Sequence, residues 1–142
     1  MIREFKVDEL ETVMKIWLET NINAHGFINE SYWQSNYELV KEMLPNATIF
    51  IYKDNNVIQG FIGLMESYIA GIFINANSQS KGIGRALLEY VKKSHSELSL
   101  QVYKKNIRAV EFYLRENFVV SKEQIDESTG EVELIMNWTK RA

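Results

Sequence analysis

The sequence predicts an α/β domain of the α+β kind, with a mixed, mostly antiparallel central sheet of about seven strands. Three observations predict it. Four segments place apolar residues at helical spacing, seven others alternate or run apolar between turn residues, and they follow one another as β-α-α-β-β-β-α-β-α-β-β. The chain has 142 residues, the size of one ordinary domain, so a single domain over residues 1–142 is expected.

Ile2 to Phe5 forms the first strand candidate, and Asp8 with Glu11 three residues on gives a capping-box-like helix start. Leu10, Val13, Met14 and Trp17 share one face of that helix. A second helix starts near Asn29 or Ser31, carries Tyr32, Trp33, Leu39, Val40 and Met43, and must stop before Pro45. From Thr48 to Lys53 the pattern turns to β, and the turn Asp54-Asn55-Asn56 leads back through Val57 to Glu66 as a hairpin. Ile69 to Ile74 is the next strand. Helical spacing returns at Ile83, Leu87, Leu88 and Val91. Leu98, Leu100 and Val102 then alternate with Ser99, Gln101 and Tyr103, which puts Gln101 on the face opposite the leucines. Asn106 can cap a helix through Val110 and Leu114, and Phe118 to Ile125 forms a hairpin with Val132 to Trp138.

Composition removes several functions. There is no cysteine among the 142 residues, so disulfides, thiolate metal sites and cysteine nucleophiles are excluded. Two histidines, His25 and His95, do not make a histidine-based metal site, and no metal is expected. With 16 Lys+Arg against 19 Asp+Glu the net charge is −3, which gives no general attraction to nucleic acid. Neither a secretory leader nor an apolar run of membrane-spanning length is read in the chain, so a cytoplasmic protein with no membrane partner is expected. A monomer or a homodimer fits equally.

Chemistry concentrates in Gln79-Ser80-Lys81-Gly82-Ile83-Gly84-Arg85, between a strand and an amphipathic helix. Two glycines let backbone approach a ligand closely, while free N–H groups and the helix N-terminus suit a pyrophosphate. Arg85 or Lys81 can add charge. No P-loop string occurs, and a dinucleotide fingerprint fails because Leu87 stands where its third glycine belongs.

The string Q-x-x-G-x-G followed by a basic residue resembles the acyl-CoA loop of the GCN5-related N-acetyltransferases, the GNAT family. Asn106-Ile107-Arg108-Ala109-Val110-Glu111-Phe112-Tyr113 resembles the family's N-x-x-A-x-x-F-Y helix. With both strings in this order, the chain resembles the small bacterial branch that acetylates protein or peptide amines. The resemblance implies a GNAT fold with a splayed strand pair, in which the strand from Ile69 parts from the strand Leu98 to Tyr103. Acetyl-CoA would lie in that notch. Its pantetheine would pair with backbone near Ile72, Phe73 and Ile74 and meet Asn106, and its pyrophosphate would sit on the amides of Gln79 to Gly84. Tyr113 would be the general acid at the thioester sulfur, although by its residues alone a core aromatic on a short helix is the preferred reading. Asn117-Phe118 replaces the common G-F pair, and Asn tolerates the left-handed cap needed there.

Relatives often carry a glutamate in the strand before that helix, where this chain has Gln101, which cannot accept a proton. His25 and Phe27 resemble the acceptor-side loop, and Glu66, Tyr68 and Gln101 complete the expected acceptor site. Without Cys or a G-x-S-x-G string, direct attack of an amine on the thioester is the simpler route. The lost glutamate favours an N-terminal α-amine over lysine as acceptor. Small-molecule amine acetylation and a non-catalytic acyl-CoA sensor are the alternatives.

Overall fold

The computed structural model describes residues 1–141. Seven strands form one sheet: β1 (Ile2–Glu4), β2 (Thr48–Asp54), β3 (Val57–Met65), β4 (Tyr68–Ile74), β5 (Glu97–Tyr103), β6 (Val119–Ile125) and β7 (Val132–Thr139). Across the sheet they run β1-β2-β3-β4-β5-β7-β6. Every neighbouring pair is antiparallel except β4 with β5. Four helices cover it: α1 (Leu10–Ala24), α2 (Glu30–Met43), α3 (Ile83–Lys92) and α4 (Ile107–Arg115).

The two faces of the sheet carry separate apolar clusters. On one, Leu87, Leu88 and Val91 of α3 and Tyr113 of α4 meet Leu98, Leu100, Leu134 and Met136. On the other, Val13, Met14 and Trp17 of α1 and Trp33 of α2 meet Ile49, Ile51 and Phe61. Strand periodicity decides which cluster each residue joins, because successive side chains point to opposite faces. Thus Leu98 and Leu100 are buried beneath α3, while Gln101 and Tyr103 look to the α1–α2 side.

Local chemistry differs from the sequence reading at a few points. Asp8 and Glu11 do not form the capping box; Glu9 accepts from the Lys6 backbone N–H at 2.9 Å and is paired with Arg3, so the turn closes earlier in the chain, from Lys6 rather than from Asp8. Asn29 does cap α2, its side chain accepting from the Ser31 N–H at 2.9 Å. Leu39 and Met43, among the apolar residues that marked this helix, are 55% and 51% exposed because α2 rests on α1 mainly through Trp33. Leu114 likewise faces out, since Tyr113 takes the inward position of α4. Asn55 and Asn56 both adopt positive φ, the conformation of a tight two-residue hairpin turn.

Gly60 of β3 marks a close approach. A Cβ there would lie 2.6 Å from the Phe73 carbonyl oxygen and 2.7 Å from Ile74 Cδ1. A Cβ on Gly63 would only reach the Ala70 Cβ at 4.0 Å. Gly60→Ala is therefore expected to destabilise the fold by ~1–3 kcal/mol, with Gly63→Ala close to neutral. Urea denaturation of the two variants checks the contrast; equal midpoints would show that β4 yields at Ile74.

Candidate functional site

The site begins with a failure of pairing. β4 and β5 are partners only at Tyr68 with Ser99 and Ile69 with Leu100. Ala70 is an extra residue against β3, between the pairs Leu64 with Ile69 and Gly63 with Gly71, and such a bulge turns a strand away from its neighbour. Beyond it Ile72, Phe73 and Ile74 keep β3 and lose β5. Their edge groups therefore face a cleft of roughly 1110 Å3, closed on its far side by α4 and the start of α3.

At the mouth stands the loop predicted from the two glycines. Gly82 has φ 80 and precedes α3 with no side-chain cap, so the first amides of the helix are free for a ligand. Ser80 also adopts positive φ, at 65, a strained choice for a residue with a Cβ. Gly84 differs: its φ is not positive and a Cβ there would make ordinary contact with Phe112 at 3.6 Å, so neither dihedral nor crowding within the protein requires a glycine. Gln79 donates to the Ile74 carbonyl at 3.2 Å and ties the loop to the end of β4. Gln79, Ser80, Gly82, Ile83, Gly84 and Arg85 line the cleft. Lys81 is exposed and does not, and Arg85 lies 3.8 Å from Glu116.

Arg108 was not among the expected site residues. Its guanidinium donates to Gln79 Oε1 at 2.6 Å and to Ser80 Oγ at 2.8 Å, clasping the loop from α4. The signal lay inside the N-x-x-A string, where Arg108 occupies a position read as a spacer.

Tyr113 lines the cleft from α4 and is buried, and burial raises its hydroxyl pKa, with the Tyr68 hydroxyl a smaller cause. Tyr68 projects with Ser99 from the opposite face of the sheet. Asn106 caps α4, accepting from the Ala109 N–H at 3.3 Å, and its Nδ2 is 3.2 Å from His25 Nε2. His25 Nδ1 is 3.0 Å from the Asn21 carbonyl oxygen. A carbonyl only accepts, so the proton sits on Nδ1 and Nε2 receives the Asn106 N–H. Burial lowers the His25 pKa, opposed by that carbonyl, and keeps the ring neutral.

His25 thus fastens the end of α1 to the start of α4, with its only free lone pair engaged. Its ring stacks on Trp33 at 5.1 Å and meets Phe27 and Tyr103 edge-on. Tyr103 donates to Asp126 at 2.6 Å, bringing the β6–β7 hairpin beside this cluster. Lys104 and Lys105 are held by Glu123 at 2.9 Å and Glu131 at 3.1 Å. Gln101 is exposed on the same face. Glu66 is a correction: it is exposed in the β3–β4 turn at positive φ, beside the closed end of the β4–β5 pairing, where its carbonyl meets His95. It is not gathered with the others.

A sheet parted at one parallel pair, with a glycine loop opening a helix at the mouth, is a cleft for an extended phosphate-bearing ligand. A family profile described as Acetyltransferase (GNAT) domain matches residues 20–139, and the chain belongs to that family. It is 34% identical over 140 residues to the peptidyl-lysine N-acetyltransferase YiaC of Escherichia coli, covering 97% of this chain and 96% of that one. It is 28% identical over 128 residues to the peptidyl-lysine N-acetyltransferase YjaB of Salmonella typhimurium, covering 89% and 88%. The solution structure of apo YjaB from Escherichia coli superposes with a TM-score of 0.85 at 26% identity, covering 96% and 95%. The protein is an amine acetyltransferase that uses acetyl-CoA as donor.

His25 couples stability to pH. The unfolded chain binds the imidazole proton at its ordinary 6.5, and the folded one resists it. Stability is therefore full above that value and falls as pH drops through it toward the folded-state pKa. Between about pH 7 and about pH 5 the parent should lose more stability than His25→Gln, in chemical denaturation at each pH. Equal losses would remove His25 as the titrating group.

Proposed function

We propose that this chain transfers acetyl from acetyl-CoA directly to the side-chain amine of a lysine in a protein or peptide, in the cytoplasm. The observation that carries the acyl-CoA part is the parted β4–β5 pair with the Gly82 loop at its mouth. The peptidyl-lysine part is supported by the names of YiaC and YjaB and by the exposed acceptor face around Gln101. On this reading pantetheine pairs with backbone of Ile72, Phe73 and Ile74 and touches Asn106, while the amides of Gln79 to Gly84 hold the pyrophosphate, helped by Arg85.

The neutral amine attacks the thioester carbonyl, and a β4 backbone N–H facing the cleft stabilises the oxyanion. Tyr113, kept protonated by burial, gives its proton to the departing sulfur. Tyr113→Phe removes only the hydroxyl and should lower turnover ~10²–10⁴-fold with acetyl-CoA affinity unchanged. Steady-state kinetics and calorimetry on the same preparation check this. Rates within about twofold of the parent would make Tyr113 a core aromatic alone.

Gln101 favours a second reading, in which the acceptor is an N-terminal α-amine. At pH 7 roughly one lysine in 10³ is neutral against about one α-amine in ten, and only the neutral form attacks. A chain with no base on the acceptor side would therefore prefer the α-amine. The test compares matched peptides carrying one free amine each, with a polyamine and an amino sugar as further acceptors. The lysine peptide should give the highest kcat/KM; a higher value for the α-amine peptide, or for a small amine, overturns the lysine assignment.

A further inference from the structure

Gln101 stands where a carboxylate would be useful and cannot take a proton. The neighbouring strand offers one. Gln101 pairs with Ile135 and Tyr103 pairs with Glu133, and partners across an antiparallel ladder project from the same face. Glu133 therefore shares the α1–α2 face with Gln101 and Tyr103, one diagonal step from Gln101, a spacing of roughly 7–8 Å. Its neighbour Leu134 is buried on the other face, as this register requires.

The carboxylate is half-buried and positioned. Oε1 accepts from Gln124 Nε2 at 2.8 Å, and Oε2 has no protein donor among the described residues. Nearby cations are already engaged, Lys104 by Glu123 and Lys105 by Glu131. The other titratable groups facing this region are Tyr68 from β4, Tyr103 from β5 with its Asp126 partner, and His25 from the end of α1. The Glu133 charge reaches Tyr68 and, after burial, helps raise its hydroxyl pKa; Tyr68 is felt in turn at Tyr113.

We propose that Glu133 binds the ammonium group of the acceptor lysine and takes its proton, directly or through one water, supplying from β7 what Gln101 lacks on β5. This rests on the lysine reading above. In the step, an N–H bond of the ammonium breaks and an O–H bond forms on Glu133. The freed lone pair makes the C–N bond, the C–S bond breaks, and sulfur receives the Tyr113 proton. The second amine proton returns to the Tyr113 oxygen, and Glu133 releases its proton to solvent.

The experiment measures kcat/KM across pH for an α-blocked lysine peptide, in the parent, in Glu133→Gln and in Glu133→Gln with Gln101→Glu, with acetyl-CoA affinity by calorimetry. Glu133→Gln should lower kcat/KM at about pH 7 by ~10²-fold or more, with the deficit shrinking as pH approaches the lysine's own ~10.4. Acetyl-CoA affinity should not change, and Gln101→Glu should restore part of the rate. A loss of the same factor at every pH, or one under about twofold, overturns the role of Glu133 and leaves the lysine reading standing. A parent that acetylates only α-amines or small amines overturns both.

Discussion

The parting of β4 from β5 after two paired residues is the constraint on which the rest of this structure depends. A central sheet that stayed paired would satisfy more backbone groups and leave no opening. Here the bulge at Ala70 and the crowding of Gly60 against Phe73 and Ile74 hold β4 to β3 while it leaves β5. The unpaired edge has value only when an extended ligand with its own amides replaces the missing strand. The pantetheine arm of acetyl-CoA carries amides of that kind.

The opening also joins two halves that a closed sheet would insulate. α3 and α4 present the Gly82 loop and Tyr113 from one face; α1, α2 and the β6–β7 hairpin arrange His25, Phe27, Tyr103 and Glu133 on the other. His25 and Asn106 bind across the gap between α1 and α4, 81 positions apart in the chain. The end of α1 and the start of α4 are therefore mechanically linked beside the opening.

Much of this was legible in the sequence. Element order and strand faces followed from periodicity, because a half-buried strand cannot hide which side is apolar: the alternation of Leu98, Leu100 and Val102 is enough to set the direction of Gln101. The loop Gln79 to Arg85 was visible because glycine and charge requirements are local. What stayed hidden was relational. Arg108 meets Gln79 and Ser80 only through tertiary approach, and Glu133 comes onto the face of Gln101, diagonal to it, only through the β5–β7 register. Glu66 misled for the same reason: its strand ends near the site in sequence order, yet the hairpin turn delivers it to the closed end of the pairing. Leu39 and Met43 show that helical spacing names a stripe without saying how wide a stripe the neighbour covers.

The raised pKa of Tyr113 sets how it can serve on the proposed mechanism. A thiol near 8.5 already holds a proton less firmly than an ordinary phenol near 10, so handing it over is uphill before burial is counted. Burial steepens that gradient, since a phenolate in the apolar cluster of Leu98, Leu100 and Phe118 is costly. Tyr113 cannot store the charge it would acquire. The proton it gives to sulfur must be replaced as the C–S bond breaks, and the attacking nitrogen, acidic once it carries a new bond to carbon, is the group placed to replace it. On the proposed mechanism Tyr113 is therefore a relay between nitrogen and sulfur. Burial, which makes it a poor acid in isolation, is what confines the proton to that path.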